Sequence, residues 1–150
     1  MTRERLIVEA VLQALRAASI AGVGANVFDE RGFSVGAEQL PAVDVIAGDS
    51  SQEVLGIGGR QLWTRFSLGV AVMARETATE SASVVADPVI AAVHQVVMTS
   101  QAVRVLVRDL RPQSHRVLRQ ESGDGLVLRR ELSYLVEHVT FVDDLETAPT

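Results

Sequence analysis

The sequence predicts a single α+β domain in which two helices pack on a mostly antiparallel sheet. Three observations carry this: an amphipathic helical stripe at the N-terminus, a long alternating run at Arg60–Arg75, and a turn signal at Ser122–Gly125 between extended arms. The chain has 150 residues and 47% hydrophobic content, enough to build one core without disulfide or metal staples.

The first element is a helix over Thr2–Ala18. Leu6, Ile7, Ala10, Val11, Ala14, Leu15 and Ala18 recur at three- and four-residue spacing and form one apolar stripe. Thr2 is placed as its N-cap, Glu4 and Glu9 lie toward the positive end of the helix dipole, and the glycines of Ser19–Gly24 end it. Asn26–Glu30 reads as a short strand and Arg31–Leu40 as a loop. Pro41–Ala47 reads as a second strand, with proline at its first residue, where a missing N–H is tolerated. Gly48–Gly59 reads as a polar connection.

Arg60–Arg75 holds the longest strand signal. Leu62, Thr64, Phe66, Leu68, Val70, Val72 and Ala74 share one face, while Gln61, Trp63, Arg65, Ser67, Gly69, Ala71, Met73 and Arg75 share the other. After a Ser/Thr/Glu stretch at Glu76–Ser83, Asp87 and Pro88 predict the start of a second helix. Val89, Ile90, Val93, Val96 and Val97 form its stripe, which ends near Thr99. The rest reads as sheet: Val103–Arg108, His115–Gln120 and Leu126–Phe141. In the last of these Leu126, Leu128, Leu132, Tyr134 and Val136 share a face, and an apolar switch beyond about Leu135 marks either a bulge or a change of partner. Residues 1–142 then make the domain and 143–150 an acidic tail expected to fray.

Composition excludes several classes. With no cysteine there is no thiol chemistry and no cysteine-ligated zinc. No uninterrupted apolar run reaches membrane-span length, and the N-terminal segment has no signal-peptide pattern. The net charge of −5 argues against general nucleic-acid binding. All 14 basic residues are arginine, which either reflects coding bias or serves bidentate pairing.

Catalytic motifs are missing. His94, His115 and His138 lack metal-ligand spacing, and ordinary packed or surface histidines account for them. Gly56–Arg60 lacks the spacing and the following helix of a phosphate loop. No nucleophile elbow is present, and Asp29-Glu30 and Asp143-Asp144 read as solvated charge. The sequence therefore predicts neither catalytic, metal nor cofactor residues. The arginines remain. Arg104 and Arg108 are placed on one face of a strand, Arg129 and Arg130 on opposite faces of another, and Arg60, Arg65 and Arg75 along the long strand. Together with Trp63 and Met73 they either form a solubilising face or a subunit interface, where arginine and large aromatics are enriched.

In element order the chain resembles the tail terminator proteins of long-tailed bacteriophages. The resemblance spans nearly the whole chain: an N-terminal helix (RERLIVEAVLQALRAA), a Leu-Pro approach to a strand (QLPAVDVIAGD) and a long strand beginning with arginine (RQLWTRFSLGVAVMAR). A helix (ADPVIAAVHQVV) and a closing strand (RRELSYLVEHVTF) complete it. The resemblance implies a non-enzymatic virion protein without cofactors, forming a ring, commonly of six subunits, that caps the tail tube and presents a head-joining surface. Its implied partners are further copies of itself, the tail tube protein and a head–tail connector. DNA enters only as passing cargo, which an acidic wall would repel, and no membrane is involved. The implied location is the head-proximal end of the virion tail, reached from the host cytoplasm during assembly. A ring of this kind needs a heterologous interface whose rotation closes. Gly48–Gly59 and Glu76–Ser83 are the segments expected to reach axial neighbours. The alternatives are another neck component of the same particle or, in a different class, a small cytosolic ligand-binding domain.

Overall fold

The structure, a computed structural model, describes residues 1–32, 35–56, 58–122 and 125–149. Helix α1 spans Arg3–Ala18; Thr2 caps it, its Oγ1 accepting from the Arg5 N–H at 3.2 Å, and Ser19 closes it in the left-handed conformation. Strand β1 is Val27–Asp29, β2 Ala42–Leu55 and β3 Gln61–Arg75. Helices α2, Ala82–Thr99, and α3, Gln101–Arg104, precede β4, Asp109–Ser122, and β5, Gly125–Phe141. The five strands form one sheet in the order β1-β2-β3-β5-β4. It is a mixed sheet: β1 runs parallel to β2 through Val27↔Val43 to Asp29↔Val45, and all other pairings are antiparallel.

The core lies between the sheet and the helices. Ile7, Val11, Leu12 and Leu15 of α1 and Ala86, Val89, Val93 and Val97 of α2 pack against Phe66, Leu68, Val70 and Val72 of β3 and Leu128, Leu132, Tyr134 and Val136 of β5. This is the face expected of the long strand, and Thr64 lies buried on it as expected. Arg5 makes ion pairs with both Glu9 and Asp29, tying α1 to β1, and holds the Asp29 carboxyl below its ordinary pKa. By length and mean hydropathy (1.4) α2 is also apolar enough to cross a membrane. Here its small-residue and valine stripe packs on the sheet.

Several boundaries differ from the sequence reading. Helix α2 begins well before Asp87: Ser81 is the N-cap, its Oγ accepting from the Val84 N–H at 3.4 Å, and Pro88 sits inside the helix. A serine cap placed before a run of small residues starts the helix, and Pro88 merely withholds one N–H from the turn before it. Val103–Arg108 is not a strand. Ser100 caps α3, Val103 is buried and Val105 is 63% exposed. The alternation there coincides with a helical i,i+3 pair, Val103 and Leu106, and the helical reading wins. The polar segment 48–55, expected as a connection, continues β2 beyond a bulge between Ala47 and Ser50. Of the expected Arg31–Leu40 loop, Ala37–Gln39 forms a 3-10 turn, and Phe33 and Ser34 lie outside the described residues. Beside Leu135 a bulge does occur, in β4 between Pro112 and Ser114 opposite Tyr134 and Ser133, while β5 pairs with β3 without interruption from Val127 to Phe141. Its helix-side positions simply become polar, at His138 and Thr140.

Strands β4 and β5 are paired up to Ser122↔Gly125, which fits the hairpin; Gly123 and Asp124 of the expected turn lie outside the described residues, as does Ile57 of the expected Gly48–Gly59 connection. In the expected tail, residues 143–149 contact the N-terminus. The Leu145 carbonyl accepts from the Arg3 N–H at 2.7 Å, and Glu146 makes an ion pair with the N-terminal ammonium.

Candidate assembly surface

The sheet face opposite the helices carries the odd-numbered residues of β3 and β5, and it divides into three parts. At one end the loop after β1 folds over it. Asp44, fully buried on β2, accepts from the backbone N–H groups of Arg31 (2.9 Å) and Gly32 (2.8 Å). Arg129 reaches Asp44 at 3.4 Å, the Gly32 carbonyl at 3.1 Å, the Met73 sulfur at 3.4 Å and Glu131 at 2.9 Å. This cluster clamps the loop onto the sheet.

In the middle, Gly48, Ser67, Gly69, Ala71 and Ser133 leave a shallow open cavity of about 240 Å³, bordered by Arg129 and Glu131. Gln113, at the bulge in β4, accepts hydrogen bonds from Ser67 and Ser133, both at 3.2 Å. At the far end an ionic row crosses three strands. Arg65 of β3 and Arg111 of β4 both bind Glu137 of β5, at 3.0 and 3.4 Å, and Arg111 also binds Asp109 at 2.7 Å. The Arg65 guanidinium lies 5.2 Å from the Trp63 ring centre, and Ser51, Gln52 and Glu53 line a small recess with that pair.

The arginine and aromatic positions singled out in the sequence therefore separate. Trp63 and Arg65 come together on the outer face, while Arg60 and Arg75 lie exposed at the two ends of β3. Met73 and Arg129 are buried within the single chain, Arg129 donating to the Gly32 carbonyl and to the Met73 sulfur. Arg130 sits on the helix side of β5, half-buried, near His115 at 3.5 Å. Arg104 and Arg108 do not share a strand face. Arg104 turns back to donate to the Met98 carbonyl at the end of α2, a helix C-terminal capping role. Arg108 is exposed and lines a cleft of about 350 Å³ with Arg3, Gln61, Val139 and Pro149. The residues that organise the face and were not singled out are Asp44, Glu137, Arg111 and Gln113. Acidic and amide residues lying alone in strands gave no local signal.

The histidines occupy different settings: His94 bonds the Tyr134 hydroxyl at 2.8 Å, His115 lies on the exposed β4, and His138 is buried. Among the described residues no group of three or more His, Asp or Glu side chains is placed to hold a metal ion.

No family model matches the sequence, and no curated protein matches it. Among solved structures the fold is similar to a chain from the virion of a native gene transfer agent particle. The TM-score is 0.56 at 16% identity, covering 89% of this chain and 95% of that one. At that identity the likeness is one of fold.

Proposed function

We propose that this chain is a structural virion protein that forms a ring at the end of a tail tube, stops tube polymerisation there and offers the surface that joins the head. The observation that supports the reading best is the near end-to-end fold similarity with a component of a gene transfer agent virion. Coverage of both chains almost in full makes the whole domain, and not a shared fragment, the unit of comparison. The outer sheet face adds to it, since its crossed ionic row and Trp63–Arg65 pair have the chemistry of a protein contact surface. In this reading the chain is not an enzyme and carries no cofactor. Its partners are its own copies, the tube subunit and a neck protein, and DNA passes through the ring.

Immuno-electron microscopy of particles tests the proposal. Label confined to the head-proximal end of the tail, with a ring mass near that of six 16.1-kDa chains, is the expected result. Label elsewhere in the neck would favour a different joining component. Label free of particles would overturn the virion reading and favour a small ligand-binding domain.

A further inference from the structure

Two strands of this sheet have backbone edges that the described residues leave unpaired. β4 is the last strand in the order and has a neighbour on one side only. β2 is covered by β1 only at Val43–Val45, so its outer edge is open from residue 48 to residue 55. Both segments are exposed: residues 48–54 of β2 and residues 111–117 of β4 all face solvent. An open edge of this length is a ready template for another strand, and folded proteins blunt such edges unless they use them. Among the described residues β4 is blunted by Pro112 with the adjacent bulge and by its arginines.

The two edges carry opposite charge. β4 carries Arg111, Arg116 and Arg119 against Asp109, which Arg111 already pairs, and Glu121 near the hairpin end, so its surplus charge is positive. The open part of β2 has Asp49 and Glu53 and no base. Arg116, Arg119, Asp49 and Glu53 make no ion pair among the described residues. Register places Arg116, opposite Glu131, and Glu53, opposite Trp63, on the same outer face of the sheet. Strand direction fits as well. β2, β3, β5 and β4 alternate in direction, so a second copy placed beside β4 in the same orientation would present its β2 antiparallel to β4.

We infer that β4 of one copy pairs antiparallel with the open edge of β2 in the next copy, so that the sheets of neighbouring chains join edge to edge. Like charge opposes β4 meeting β4 and β2 meeting β2, which leaves the head-to-tail pairing as the matched one. Head-to-tail pairing is the kind of contact that generates a ring when its rotation closes. The inference rests on the ring reading only for that closure; the edge pairing stands on the strand edges and their charge.

Because the natural chain has no cysteine, single introduced thiols report the contact cleanly. Ser51→Cys marks the β2 edge and Ser114→Cys the β4 edge; both sites are exposed and both leave the charges intact. Each variant alone and an equal mixture are treated with a short bismaleimide at high protein concentration. The expected result is a cross-linked pair of about 32 kDa, two 16.1-kDa chains, in the mixture and not in either variant alone. Glu53→Arg or Arg116→Glu, added to the marked chains, should each lower the yield by about two- to fivefold, and the two reversals together should restore it. Cross-linking confined to one variant by itself, a mixture that stays monomeric, or reversals without effect would overturn edge pairing. None of these results would move the label seen on particles, so the two proposals fail separately.

Discussion

The carboxylate of Asp44 and the guanidinium of Arg129 meet at 3.4 Å across the intervening strand β3, both almost wholly shielded from solvent. Neither charge is paid for by the other alone. Asp44 also takes two backbone N–H groups from the loop, and Arg129 gives to a loop carbonyl and to Glu131. Removing Asp44 leaves the Arg31 and Gly32 N–H groups without their acceptor and Arg129 without one of its carboxylate partners, which costs roughly 1–3 kcal/mol. Asp44→Ala is therefore expected to destabilise the fold by that order in chemical denaturation. The amides of Arg31 and Gly32 should then exchange with solvent far faster than before. A loss below about 1 kcal/mol with those amides still protected would show that the cluster does not hold the loop.

His138 supplies an acid sensitivity. Burial, helped by the nearby positive charge of Arg3, pushes its pKa down to about 4, and neither ring nitrogen has a hydrogen-bond partner among the described residues. The unfolded chain, with an ordinary histidine pKa near 6.5, binds the proton more readily than the folded one. Stability is thus fully present above about pH 6.5 and falls as the pH drops toward 4, by up to roughly 3 kcal/mol. Asp29, whose pKa Arg5 lowers, loses its contribution only in the carboxylate range below, and Glu4, raised by burial, acts in the opposite sense there. Across the interval from pH 5 to 6.5, the difference between the natural chain and His138→Leu isolates the histidine. Urea denaturation across it should show a falling midpoint for the natural chain and a flat one for His138→Leu; equal slopes would assign the effect elsewhere.

The start of α2 separates two capping residues. Ser81 makes the cap hydrogen bond, so Ser81→Ala is expected to lower stability by about 1 kcal/mol. Asp87 is exposed within the helix, and Asp87→Ala should change stability by no more than about 0.5 kcal/mol. Thermal unfolding of the two variants side by side checks this. The reverse ranking would move the functional helix start to Asp87.

What the sequence disclosed follows where the core reaches. β3 was legible from Leu62 to Ala74 because one face is buried along its whole length, and α1 because Ile7, Val11 and Leu15 form a stripe. The outer half of β2 and most of β4 lie beyond the helices with both faces wet. No alternation of polarity is imposed on them, and Asp49–Glu53 reads like a loop. At His138 and Thr140 the opposite holds: polar residues are buried, and the pattern misleads. The candidate surface was legible only at Trp63 and Arg65. The bond from Arg129 to the Gly32 carbonyl depends on a loop from elsewhere in the chain, and capping by Arg104 depends on α3, neither of which residue type alone encodes.

Trp63 offers a direct readout of whether the outer face is covered on assembly. It is the sole tryptophan, half-buried beside Arg65, with Glu53 in the neighbouring strand. Its indole N–H is shielded but has no acceptor among the described residues, and large aromatics with a polar handle of this kind anchor protein contacts. Covering the face removes water from the ring, so its emission should move to shorter wavelength as the chain associates. Trp63→Ala should leave the monomer folded, since the ring lies outside the main core, while weakening association by about tenfold or more. Sedimentation and fluorescence measured over the same concentration series test both statements. An emission maximum that stays fixed while the sedimentation coefficient rises would place Trp63 outside the contact and leave the strand edges to carry association alone.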